Sequence, residues 1–173
     1  MNAIIDFLQP YYQHIRFVHL TAVMVWVWST SVAYAYYLLP VFKAWRRNPD
    51  DQQIIELRNW VMERFDHGVI YEHIAFPIVI IAGIMLYIVG GHSTAENWLL
   101  LKLAIVIGVF IPIEITDYYL SHFGGNKHKL RKAGSAQDYE RGIQLHWWFF
   151  LITTAVVMLG GTAVIFLAVV KPF

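Results

Sequence analysis

Three stretches of this chain run without Asp, Glu, Lys or Arg for longer than a helix needs to cross a bilayer. They cover 26 residues between Arg16 and Lys43, 23 between Glu72 and Glu96, and 29 between Arg141 and Lys171. A hydrocarbon core is crossed by roughly 20 helical residues. Lipid offers the backbone no hydrogen-bond partner, so each run must satisfy its own N–H and C=O groups as a helix. A fourth apolar run, LLLKLAIVIGVFIPI at 99–113, holds Lys102 and leads directly into Glu114 and Asp117. The sequence therefore predicts an all-α integral membrane four-helix bundle, a single membrane domain over 1–173. Its spans fall near 13–39, 67–90, 98–122 and 143–169, and its loops at 40–66 and 123–142. Composition agrees, since 14% of residues are charged where a soluble domain has roughly one quarter.

The distribution of charge gives a direction. Ten of the thirteen Lys and Arg lie in loops 40–66 and 123–142, leaving only Arg16, Lys102 and Lys171 elsewhere. Basic loops stay on the cytoplasmic side, so both termini and the 91–97 turn are expected on the outer face of a bacterial inner membrane. Trp98 and the Tyr11–Tyr12 pair suit the outer interface; Trp45, Trp60, Trp147 and Trp148 suit the inner one. Within loop 40–66, Asp50 or Asp51 can cap a helix whose apolar stripe is Ile54, Leu57, Trp60, Val61 and Phe65. This predicts an amphipathic surface helix running into the second span. No secretory signal pattern opens the chain, and no phosphate loop, HExxH or nucleophile elbow occurs.

Ionisable groups at membrane depth usually face protein or a water-filled cavity. Spacing along the spans sorts them into two sets. The outer set is His19 and Lys102, at nearly the same height, with His14 and His92 at the edge. The inner set is Glu72, His73, Glu114, Asp117, His122 and His146. At 1.5 Å per residue His73 and His19 differ by roughly 18 Å in height and cannot share one metal. On the first span His19, Val23, Trp26, Thr30, Ala33 and Tyr37 form the most polar, small-residue stripe. Each group also has a structural reading: His19 bonded to a backbone carbonyl, Lys102 snorkelling to headgroups, His146 anchoring an interface, and His122 and His128 solvated beside a basic loop. Pro77 and Pro112 interrupt their helices, and Gly160–Gly161 would admit a close neighbour.

Net charge of +1 excludes a strongly basic nucleic-acid binder. The absence of cysteine excludes disulfides, thiolate metal sites, iron–sulfur clusters and Cys-dependent catalysis. Three classes remain. One is a haem b protein with His axial ligation, its flat walls supplied by seven Trp, ten Tyr and eleven Phe. Another is a non-haem iron, zinc or manganese site, or a metal transporter, drawing on His73, His146, Glu72, Glu114 and Asp117. The last is a structural subunit without cofactor, whose buried charges pair with one another.

Several segments carry a resemblance. RFVHLTAVMVWVWSTSVAYAYYLLPVFKAW, with His19, Trp26 and Tyr37 to Pro40, resembles the first span of HemJ-type protoporphyrinogen oxidases. VMERFDHGVIYEHIAFPIVIIAGIMLY resembles that family's entry to span two through Met62, Glu63, Arg64, Pro77 and Gly83. WLLLKLAIVIG resembles the opening of span three through Trp98, Lys102 and Leu103, and VVKPF resembles the family's C-terminus. The inner half of span three, with Glu114 and Asp117, and the opening of span four, RGIQLHWWFFLITTAV, depart from the family pattern. A more remote likeness is to copper-resistance D-like membrane proteins.

The resemblance implies a four-helix membrane protein that binds haem b. It implies oxidation of protoporphyrinogen IX to protoporphyrin IX, with electrons passed to a membrane acceptor such as quinone. It carries the haem-iron ligand role onto His19, with Lys102 as second ligand or propionate partner and Trp26 beside the porphyrin plane. Glu114, Asp117 and His73 are then expected to handle the protons of the oxidation. The partners expected are the lipid bilayer, a porphyrin or quinone, and a second copy of the chain or a larger electron-transfer complex in which this chain is a haem- or metal-binding subunit.

Overall fold

The computed structural model of the protein describes residues 2–91 and 96–172, leaving aside the side chains of Asn2, Ala3 and Thr30. The readings placed on His92, the Thr30 side chain and Phe173 lie outside the described residues. The rest of the chain is helical, with no strand among the described residues. Four long helices are apolar enough to cross a membrane: α1 (Ile4–Arg47), α2 (Gln52–Val89), α3 (Asn97–Lys132) and α4 (Ala136–Val170). Their outward faces carry bare apolar side chains, among them Phe17, Ile81, Leu159 and Val169, the last 77% exposed. A water-soluble monomer does not leave so much continuous apolar surface uncovered; a bilayer covers it.

The helices extend well past the predicted spans, and the two basic loops shrink to short turns. Residues 40–66 are not a loop carrying one surface helix. α1 runs on through a helical stretch, Leu39–Arg47, and α2 begins at Gln52, its N-terminus capped by the Asp51 carboxylate accepting from the amides of Gln53 and Ile54. The expected amphipathic helix exists as Gln52–Gly68 and joins the membrane-spanning part, Ile70–Val89, across Val69 alone. Its buried face differs from the predicted stripe. Arg58, Val61, Met62, Phe65 and Asp66 are buried, while Leu57 and Trp60 are exposed. Arg58 explains the difference: its guanidinium makes a bidentate pair with Glu140 of α4 at 2.9 and 2.5 Å and lies 4.4 Å from the centre of the Trp45 ring. Planar pairing of this kind, with the stem stacked on an aromatic face, is what lets a guanidinium be covered.

The expected loop 123–142 is likewise mostly helix. α3 breaks at 123–126, where a Cβ on Gly125 would sit 2.7 Å from Leu120 Cα, so only glycine fits. Asn126 then caps Lys127–Lys132, and Ser135 caps α4 through the amide of Asp138. Two π-helical turns, Tyr34–Leu38 in α1 and Val106–Phe110 in α3, each lie just before a proline, Pro40 and Pro112. A widened turn there absorbs the missing N–H and the ring's clash with the preceding turn.

The two ends of the bundle are packed differently. At the basic end, Leu38 and Phe42 of α1, Met62 and Phe65 of α2, and Ile143 and Phe150 of α4 form a dense core. Trp147, read from sequence as an interface side chain, is buried in it, stacked 4.0 Å from Phe42 with the rings 8° from parallel. Mid-depth, Trp26 meets Phe76 and Phe110 at 5.2 and 5.0 Å. Beyond this aromatic layer the helices separate, and the opposite end holds a cavity.

Candidate functional site

That cavity has a volume of about 440 Å³ and is bounded by all four helices, within the roughly 300–1,000 Å³ of small-molecule sites. Its walls are apolar apart from His19, Lys102 and Tyr87, and its floor is the Trp26, Phe76 and Phe110 layer. His19 is fixed by its neighbour helix: Nδ1 donates to the carbonyl of Val79 at 3.0 Å. Its Nε2 makes no hydrogen bond among the described residues. Holding one ring nitrogen on a carbonyl fixes the tautomer and leaves the other as a lone-pair donor, the arrangement common to metal-ligating histidines. Gly83 makes the approach possible, because a Cβ there would stand 3.3 Å from His19 Cε1. Lys102 has no hydrogen-bond or ion-pair partner among the described residues. Gly161 of α4 borders the same space, and a Cβ on it would meet nothing within 4 Å, whereas Gly160 beside it admits Phe110.

These residues fit a flat apolar cofactor with one central electrophile. A fixed imidazole lies on one wall, a primary amine on another, and aromatic rings close the inner side. The register of α1 on α2 also sets distances. His19 is level with Val79, six residues from His73, or about 9 Å along the helix. That is half the height difference expected from span boundaries and still too far for a shared metal.

The inner polar residues are drawn together in one connected network on the other side of the aromatic layer. Trp26 Nε1 donates to Glu114 Oε1 at 2.5 Å. Glu72 and Glu114 border the same small space beside Trp26. Asp117 is the hub: Oδ1 lies 2.9 Å from His146 Nε2 and 3.3 Å from Ser121 Oγ, and Oδ2 lies 3.4 Å from His73 Nε2. His73 Nδ1 reaches His122 Nε2 at 2.8 Å. His146, fully buried, turns Nδ1 to the Lys127 ammonium. Lys127 in turn holds Asp66 with both its amide and its Nζ, each at 2.9 Å. Glu114, Asp117, His73 and His146 are all buried inside the bundle.

For the metal alternative at His73 and His146, no three His or carboxylate side chains among the described residues are grouped as a metal ion would need. The reason is local: both nitrogens of His146 and Nδ1 of His73 already face protein partners. His122, read as solvated, is half-buried and bonded to His73. Lys127 and Asp66, which carried no functional reading, are fully enclosed parts of the network. Lys127 stands in a run of basic residues, NKHKLRK, where nothing local separates one buried lysine from its solvated neighbours.

Comparisons with family profiles, with curated proteins and with solved structures return no match to this chain.

Proposed function

We propose that the protein is a membrane-embedded redox protein that holds haem b in the 440 Å³ cavity, and that it acts in the manner of HemJ-type protoporphyrinogen IX oxidases. The observation that carries this reading is His19, with Nδ1 tied to the Val79 carbonyl and Nε2 without a hydrogen-bond partner among the described residues, beside a Lys102 that likewise has none among them and borders the same apolar space. His19 would bind the iron, and Lys102 would serve as second ligand in its neutral amine form or as partner to a propionate. Trp26 closes the inner side of the cavity and bounds the group from below. Haem, when bound, supplies reversible one-electron transfer; a quinone in the bilayer is the acceptor we propose. Glu114, Asp117 and His73 lie one side chain away, behind Trp26, and would receive the protons that oxidation of a porphyrinogen releases. The surplus of Lys and Arg at the end holding the α1–α2 and α3–α4 turns supports a cytoplasmic position for that network, and outward termini, in a bacterial inner membrane.

The test is a visible spectrum of protein purified in detergent from haem-replete cells. A Soret band with α and β bands on reduction is expected, and all should vanish in His19→Ala. Turnover of protoporphyrinogen retained by that variant would remove His19 from the reaction. A second reading, a structural subunit without cofactor, is favoured by the way the inner charges satisfy one another. A colourless, metal-free wild-type protein would select it.

A further inference from the structure

Between the aromatic layer and Asp117 lies a second, small space of about 30 Å³, lined by Trp26, Ser31, Glu72, Glu114, Asp117 and Thr153 among others. A site needs about 10–15 Å³ and two to four polar partners to keep a water molecule, so this one has room for a water and the groups to hold it. Glu72 supplies the clearest demand. The side chain is buried, 6% exposed, and its Oε2 has no hydrogen-bond partner among the described residues. The Ser31 and Thr153 hydroxyls donate to the carbonyls of Val27 and Phe149 at 2.7 and 2.8 Å, which leaves their oxygens as acceptors.

The carboxyl pair has its own requirement. An ionised carboxylate only accepts hydrogen bonds, and two like charges sharing one buried space repel, which favours a proton on one of them. Glu72 and Glu114 are both buried and line the same small space, with no Lys or Arg among their hydrogen-bond partners in the described residues. The nearest ammonium, Lys127, is committed to Asp66 and His146 on the far side of Asp117. An uncompensated buried charge is strongly unfavourable.

A path leads from this pair to the basic end. His73 is hydrogen-bonded to His122 through Nδ1, and its Nε2 lies 3.4 Å from Asp117 Oδ2, a close approach short of a hydrogen bond; His122 is half-buried with His67 and Lys129 nearby. An imidazole so placed takes a proton on one nitrogen and gives one from the other. The second branch from Asp117, through His146 and Lys127 to Asp66, ends among groups less than 2% exposed and has no outlet.

We infer that Glu72 and Glu114 form a proton-loading site, served by water in the 30 Å³ cavity and connected to the basic end of the bundle through Asp117, His73 and His122. One proton enters at His122, one passes from His73 Nε2 to Asp117, and one passes by way of the water to the glutamate pair. Only N–H and O–H bonds change, no electron moves, and the reverse sequence releases the proton. The inference deepens the proton role in the proposed function and rests on that reading only for what drives the transfer. The bound proton itself does not require a pigment.

Infrared spectroscopy of the full-length protein in lipid nanodiscs tests it. A C=O band from a protonated carboxyl is expected at neutral pH in wild type, lost in Glu72→Gln and in Glu114→Gln, both near-isosteric changes whose folding is checked by circular dichroism. Deuterium exchange of that band should slow severalfold in His122→Phe and in His122→Gln. No such band at neutral pH, or a band that answers to sodium concentration, overturns the loading site; unchanged exchange in both His122 variants overturns the route. Absorbance of the same samples separates the two proposals. A colourless protein with the band loses the pigment and keeps the proton site, and a pigmented protein without it does the reverse.

Discussion

Trp26 donates its indole N–H to Glu114 across 88 residues of sequence, and the same ring borders both the large apolar cavity and the small polar one. One side chain thus separates a space suited to a flat cofactor from a network suited to protons. Its neighbours hold it there. Phe76 and Phe110 pack against it at tilted angles, and Gly160 gives Phe110 room on the α4 side. In the proposed chemistry, coupling between the two compartments passes through this layer.

Trp26→Phe keeps the aromatic bulk and removes only the donor. Glu114 then loses one of its buried partners, which costs about 1–3 kcal/mol. The midpoint of thermal unfolding in detergent should fall accordingly, and Glu114→Leu combined with Trp26→Phe should recover part of the loss. A single variant as stable as wild type would mean that the hydrogen bond is dispensable.

Lys127 is the cation that makes Asp66 tolerable inside the protein. Removing one partner of a buried pair costs about 3–5 kcal/mol, whereas replacing both with apolar groups is often neutral. Lys127→Met should therefore be strongly destabilising, and Lys127→Met with Asp66→Leu much less so. His146 faces both residues, so a double-mutant cycle in wild type and in His146→Phe should show the coupling change. Equal effects of the single and double variants would refute the pairing.

The spans were legible because their signal is a long absence of charge, which lipid enforces along the whole length of a helix. The ends were not legible, since Arg58 and Lys127 sit in basic segments that resemble solvated loops and are buried only by partners far along the chain, Glu140 and Asp66. The outer pair of His19 and Lys102 could be placed at one height by counting residues, because both lie inside uninterrupted helices. The inner set could be placed at one depth, but its wiring could not be read. Whether His73 turns to a metal, to Asp117 or to His122 depends on helix rotation and on the π-turns before Pro40 and Pro112. Hydropathy does not encode either.

The glycine pair on α4 offers a contrast between adjacent positions. A Cβ at Gly160 would meet Phe110 Cε1 at 3.0 Å, and Phe110 is buried at 1% exposure with Trp26 behind it. Overpacking of this kind costs about 1–3 kcal/mol. Gly161 has no neighbour within 4 Å, so Gly161→Ala should be neutral or stabilising by up to about 1 kcal/mol through helix propensity. Thermal melts of the two variants should fall on opposite sides of wild type or close to it; equal destabilisation would argue against this packing of α3 on α4.

Pigment binding should depend on the outer residues and be indifferent to the inner ones. His73 and His146 lie beyond the Trp26 layer with their nitrogens turned to Asp117, His122 and Lys127, so His73→Ala and His146→Ala should retain the absorbance that His19→Ala loses. Gly83→Ala is the sharper probe. It leaves every polar group in place but puts a methyl 3.3 Å from His19 Cε1, pressing the ring away from the Val79 carbonyl. Loss of an orienting contact to a ligating histidine weakens metal retention about 10–100-fold, so Gly83→Ala should shed pigment during purification. Lys102→Met then distinguishes ligand from propionate partner: shifted band positions mark a ligand, and unshifted bands with faster loss of pigment mark a partner. Absorbance retained in His19→Ala but lost in His146→Ala would move the binding site to the inner network.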